Sequence, residues 1–358
     1  MDQGVKILLF KMPAGRDTYA NKLLEILSAP IGNIVMLTTY RRRWIPEEIF
    51  NNPRQLEGNK AWFICVDAEK YEVDNKKHFD VKRFIPIREV EITRIEKIKD
   101  DINIFVKTGG YIKFNPEELD SLKTELEKKF SKENLPPNER SYIQTGIDLN
   151  FKGMSVAADE NEIRDAWINI VDVLSETSQY ADIPFYRIVG LKDSEGKDVR
   201  LKQAPDGKEA TYELVRNREY RLIVECRFPA KAYDRAPVVL DIHHDSGLHI
   251  SSDLTFSSRI EQKECTIVPE KVGGFSMKIE YNTSRVWQST LIKFKVTEGT
   301  LTYKIRRNAV YLTFLVIIVV LCLSLGYLTE DIIGISISIL LLSLIHISEP
   351  TRPRLISY

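Results

Sequence analysis

Tyr220-Arg221-Leu222-Ile223-Val224-Glu225-Cys226-Arg227-Phe228 is the stretch on which the fold reading turns. Tyr220, Leu222, Val224, Cys226 and Phe228 alternate with Arg221, Ile223, Glu225 and Arg227, the two-residue period of a strand with one face toward a core. Val238, Leu240 and Ile242 repeat the pattern. Shorter β-rich runs surround them: Tyr186–Leu191, Thr211–Val215, Leu248–Ser252, Glu264–Val268, Phe275–Tyr281 and Leu291–Val296. Asp206-Gly207, Ser246-Gly247 and Gly273-Gly274 mark turns between them. Short strands at this spacing over 183–299 predict an all-β antiparallel sandwich, with Val224, Cys226, Leu240 and Ile242 buried.

In outline this region resembles an immunoglobulin-like domain. The Cys…Trp…Cys hallmark is absent, so the resemblance implies architecture alone. Trp287, between strands, reads as a seal at one end.

Before the sandwich, residues 1–131 read as a mixed α+β domain. Val5–Met12, Ile34–Trp44, Trp62–Asp67 and Phe84–Ile98 are strand-like, and Asp17–Ser28 has helical spacing. Ile102–Lys107 and Tyr111–Phe114 flank Gly109-Gly110, which predicts a hairpin turn. Asn115-Pro116-Glu117-Glu118 is a helix start, and Leu119, Leu122, Leu126 and Phe130 make the stripe that follows. Strands closed by such a helix over 82–130 resemble the second half of a pleckstrin-homology or GRAM-like barrel, which implies lipid or protein binding. Residues 132–182 read as a linker plus a helix, Asp159–Val173, with Ile163, Ala166, Trp167, Ile170 and Val173 facing inward.

Beyond the sandwich, Ala309–Leu328 holds twenty residues without a charge, the length of a membrane-crossing helix. Lys304, Arg306 and Arg307 precede it and predict that the preceding side is cytoplasmic; Tyr311 and Tyr327 sit where aromatic rings favour the interface. Residues 332–341 read as the start of a second span. The expected fold class is thus an α+β N-terminal domain and an immunoglobulin-like sandwich, followed by a C-terminal transmembrane hairpin. The expected location is integral to a membrane, with residues 1–308 cytoplasmic. Leu342–Arg352, LSLIHISEPTR, resembles the in-frame translation of a transposase-type sequencing adapter, and after a three-residue gap Ile356-Ser357-Tyr358 matches the next constant segment. The resemblance implies that 342–358 are an artefact and stand outside fold reasoning.

The chain has 358 residues, with 51 basic and 51 acidic side chains. Zero net charge argues against broad binding to nucleic acid. Four scattered cysteines, Cys65, Cys226, Cys265 and Cys322, exclude a disulfide scaffold or a zinc ribbon. Tyr40-Arg41-Arg42-Arg43-Trp44 is the sharpest candidate ligand site: Arg41 and Arg43 would share a strand face able to bind phosphate. The bland alternative is a solvated face with Trp44 in the core. Asp241, His243 and Asp245 would share a face too, a conceivable site, against the bland alternative of polar residues on an outer face and in the following turn; His243 and His244 would face opposite ways and not easily share a metal. No GxSxG, HExxH or kinase pattern occurs, so no catalytic residue, metal or cofactor is expected. The expected function is a membrane-anchored cytosolic binding, adaptor or sensor protein without catalysis, with the lipid bilayer and a protein docked on the sandwich as partners. The alternatives are a ligand-sensing effector acting through the transmembrane hairpin and an enzyme with an unrecognised site.

Overall fold

The computed structural model describes residues 7–11, 21–41, 47–73, 76–129, 141–145, 151–177, 179–181, 183–229, 237–251, 253–283 and 286–299, and the single positions 313, 317, 318 and 320. Contacts divide the chain into two compact units, Met1–Thr297 and Glu298–Tyr358. In the second unit, positions 313, 317, 318 and 320 are helical.

The first unit begins with β1 (Ile7–Lys11), α1 (Lys22–Ser28), β2 (Ile34–Arg41), α2 (Glu47–Asn51), β3 (Lys60–Val73), β4 (Lys76–Ile98), β5 (Asp101–Lys113) and α3 (Glu118–Lys129). β6 (Ser141–Thr145), β7 (Ser155–Val156) and α4 (Glu160–Ser175) follow. One sheet runs in the order β2-β5-β4-β3-β1-β6, with β7 on β5. β1 lies parallel to β3, and β6, inside the stretch read as linker, closes the edge beside β1.

Gly109 and Gly110 do not make the expected hairpin turn, because β5 runs straight through them. The pair stands opposite Glu89 alone, between Arg88↔Tyr111 and Val90↔Thr108, which is a bulge. The reason is room. A Cβ on Gly109 would lie 2.9 Å from the Glu89 carbonyl oxygen, and one on Gly110 would lie 2.5 Å from that of Ala157. These glycines let backbones approach rather than reverse the chain. β4, by contrast, tolerates Pro86 because Ile87 is extra in the β3 ladder: Phe63 pairs Arg88 while Ile64 pairs Pro86.

The remaining strands are β8 (Phe185–Asp193), β9 (Asp198–Val199), β10 (Leu201–Gln203), β11 (Ala210–Val215), β12 (Tyr220–Arg227) and β13 (Val238–His244). β14 (Leu248–Ile250), β15 (Leu254–Phe256), β16 (Ile260–Pro269), β17 (Gly273–Asn282) and β18 (Trp287–Thr297) complete them. They form a six-stranded sheet, β10-β11-β18-β17-β13-β15, and a five-stranded sheet, β14-β16-β12-β8-β9. The two share a core of side chains from both sheets, among them Tyr186, Leu222, Met277 and Phe294. Val224, Cys226 and Leu240 are buried as their alternation requires; Ile242, near the strand end, is half-buried. Trp287 is not an end seal between strands but the first residue of β18.

The outer face of β12 is not solvent-facing. Ile223, Glu225 and Arg227 are buried beneath α4 and its neighbours, which explains a strand polar in sequence on that side yet covered. α4 is capped by Asp159, whose carboxylate accepts from Glu162 N–H, and buries Ala166, Trp167, Ile170 and Val173. α1 and α4 each pack on the N-terminal sheet and hydrogen-bond to the sandwich.

The membrane part of the expected fold is corrected. The structure is mostly β-sheet, and among the described residues no helix is long and apolar enough to cross a membrane. The longest, α4, has 16 residues and carries charge on one face, short of the ~20 apolar residues a span needs. The run 309–328, apart from positions 313, 317, 318 and 320, and the run 332–341 lie outside the described residues, as do Lys304, Arg306, Arg307, Tyr311 and Tyr327. The integral-membrane location drawn from that run is corrected with it.

Replacing Gly110 with Ala should destabilise the protein by about 1–3 kcal/mol, since the Ala157 carbonyl must give way. Urea denaturation of the two proteins side by side measures it, and an unchanged midpoint would contradict the close approach.

Candidate functional site: a cleft walled by two buried arginines

α1 has seven residues and no base in its last turn, so alone it would be a marginal helix with bare C-terminal carbonyls. The rest of the chain satisfies them. Ser28 Oγ donates to Leu24 O (2.8 Å), Ala29 N to Glu25 O (2.9 Å) and Tyr111 Oη to Leu27 O (2.6 Å). Arg88, from the middle of β4, donates from Nη1 to Ile26 O (2.9 Å) and Ala29 O (2.7 Å). Its Nε donates to Gly109 O (2.6 Å), the carbonyl that the glycine bulge turns toward it. A cation at a helix C-terminus also meets the negative end of the helix dipole.

Arg88 is fully buried, with the Tyr111 ring centroid 4.4 Å from its Cζ. Burial pulls its ionisation below the usual arginine range; Tyr111 opposes that shift and the nearby positive Arg187 adds to it. A guanidinium starts so high that it stays charged regardless. Among the described residues no carboxylate pairs with it.

Arg187, on β8, is the second buried guanidinium. It lies 2.7 Å from Glu225 on β12, which is itself wholly buried and also accepts from Arg164 of α4 at 2.6 Å. The Trp167 ring backs Arg187, with its centroid at 5.2 Å. Further along α4, Asp172 takes both Nε (2.7 Å) and Nη2 (2.5 Å) of Arg227. Such forks fix guanidinium orientation.

Arg88 and Arg187 both line a cleft of about 430 Å³. α4 gives it Ile163, β8 gives it Ile188 and Leu191, and β12 gives it Ile223. Ile31, in the turn after α1, is 46% exposed at its edge. Lys192 and Arg200 stand with Glu160 and Asp198 among the more exposed lining residues, so charge there balances. An apolar interior with a few fixed polar groups is the usual make-up of a ligand site.

The residues singled out from the sequence lie elsewhere. Arg41 ends β2 opposite Asp101, and its side chain and all of Arg43 lie outside what is described. His243 is exposed with Nε2 3.3 Å from Glu280, whose other oxygen takes Lys278 (2.7 Å) and Trp287 Nε1 (3.0 Å). Asp245 has left the strand and accepts from Ser276 N (2.6 Å) and Oγ (2.9 Å). Among the described residues no group of His, Cys, Asp and Glu is arranged to hold a metal, and Cys65, Cys226 and Cys265 are buried with no disulfide between them. Burial pushes the Cys65 and Cys226 thiols up, away from reactivity. Sequence reading passed over Arg88 and Arg187 because each stands alone in a strand. The available signal was a base amid an apolar run, Phe84-Ile85-Pro86-Ile87-Arg88.

No family model and no curated protein matches this chain. Among solved structures, titin Ig tandem domains align over 76% of this chain and 92% of that one, at 7% identity and a TM-score of 0.16. A likeness that slight carries no argument about fold or function.

Arg88→Met should cost about 3 kcal/mol or more, because it strips donors from three buried carbonyls at once. Arg88→Lys should recover part of it. Calorimetric melting of the three proteins checks this, and a methionine variant as stable as the parent would remove Arg88 from its structural role.

Proposed function

We propose that this chain is a binding protein, not a catalyst, and that it takes a small ligand in the cleft between the N-terminal sheet and the sandwich. The observation that carries the reading is the cleft's construction: walls from α4, β8 and β12, with two guanidiniums already held by aromatic rings and fixed acceptors. A site ordered before the ligand arrives loses little entropy on binding. Guanidiniums also suit holding over turnover, since they stay protonated and exchange no proton with a substrate. The adaptor or sensor role expected from sequence fits this reading, because a ligand here touches both halves of the first unit.

Gly190 offers a clean test. It sits on β8 among the cleft residues, and a Cβ there would meet nothing within 4 Å. Gly190→Phe should fill the cleft while shifting the melting temperature by less than about 3 °C, because the ring enters open space. Saturation-transfer NMR with a panel of small aromatic fragments should detect binders to the parent protein and lose them in the variant. Fragments that bind both proteins equally would place binding outside the cleft.

A further inference from the structure

The guanidiniums of the cleft have N–H groups left over. Arg88 uses Nε and Nη1, and Arg187 uses Nε and Nη2. Arg88 Nη2 and Arg187 Nη1 make no hydrogen bond to a described residue. Arg88 is fully buried and Arg187 is 4% exposed. Both arginines line the same cleft. Charge points the same way. Of the two buried guanidiniums that line the cleft, Arg187 has the carboxylate of Glu225, which Arg164 of α4 also engages, and Arg88 has none among the described residues, which leaves the pair net positive. Buried charge without a counter-ion is costly, and an incoming anion relieves it. The exposed lining residues do not cancel this, since Lys192 and Arg200 there are matched by Glu160 and Asp198.

We propose that the cleft selects a small anion with an apolar body, a phosphomonoester or a carboxylate, whose charged end accepts from Arg88 Nη2 and Arg187 Nη1 while its body lies against Ile163, Ile188 and Leu191. The inference rests on the reading of the cleft as the binding site and adds the chemistry of its ligand. Guanidinium donors suit both anions, because each presents paired oxygens to a planar fork.

The test uses the full chain and three probes of similar size: phenyl phosphate, phenylacetate and the uncharged benzyl alcohol, each titrated by NMR. At least one anion should bind about tenfold or more tightly than benzyl alcohol, and its affinity should fall as salt rises. Which anion binds tighter identifies phosphate or carboxylate as the natural headgroup. Arg88→Lys keeps a charge and a donor for the α1 carbonyls but loses Nη2; it should weaken the anions about tenfold more than it weakens benzyl alcohol. Gly190→Phe should abolish all three. Equal binding of the three probes, lost in Gly190→Phe, would overturn the anion proposal and leave the cleft as a site for neutral ligands. Anion binding that survives both substitutions would overturn it by placing the site elsewhere. Binding of none of the probes would overturn both this proposal and the reading beneath it.

Discussion

A charged guanidinium with no carboxylate beside it is the constraint around which the first unit is arranged. Arg88 is fully buried, so it must be surrounded by oxygen, and the chain supplies three carbonyls from two elements. Two belong to the end of α1 and one to the bulge in β5. Each partner needs the other. Without Arg88 the short helix would end in bare carbonyls; without the glycine bulge Arg88 would lose its Nε acceptor. Local irregularity in β5 is thus tied to the placement of a helix more than fifty residues earlier in the chain.

The same logic repeats on the sandwich side. Glu225 is wholly buried, and its two oxygens are taken by Arg164 of α4 and Arg187 of β8. Removing Glu225 would leave the buried Arg187 without its carboxylate, which costs several kcal/mol. α1 adds hydroxyl and amide links: Ser28 Oγ lies 2.5 Å from Thr290 Oγ1, and Asn21 Nδ2 donates to Tyr180 Oη at 2.8 Å. These polar contacts set position, while apolar side chains supply most of the driving force. Trp167, Ile170, Phe185 and Val286 belong to the same buried cluster as the N-terminal strands. The cleft is where this packing stops short, and its guanidiniums are the structural arginines seen from their unused side.

Much of this was legible in the sequence, for reasons that differ by element. The period-two pattern of Tyr220–Phe228 placed Val224 and Cys226 correctly, because one face of β12 meets a purely apolar core. The stripe of α4 was equally clear, since its helix buries a single face. The burial of Glu225 and Arg227 on the polar face of β12 was not legible, because their partners on α4 stand 61 and 55 residues upstream. Gly109-Gly110 carried the signature of a turn, and only the approach of Glu89 and Ala157 shows otherwise. β6 was hidden in a polar stretch, since an edge strand needs little apolar content to pair with β1. Arg88 could not have been found by spacing, because nothing in its neighbourhood in sequence names α1 as its partner.

If buried arginines hold the two helices between sheet and sandwich, residues 1–297 must open as one body. Hydrogen exchange on the full chain tests this most directly. The amides of Ile26–Ser28 in α1 and Ile170–Leu174 in α4 should exchange with the same opening free energy as those of Leu222–Cys226 at the centre of β12. Exchange in either helix about a hundredfold faster than in β12 would mean that the helices detach while the sandwich stays folded, and would contradict the account.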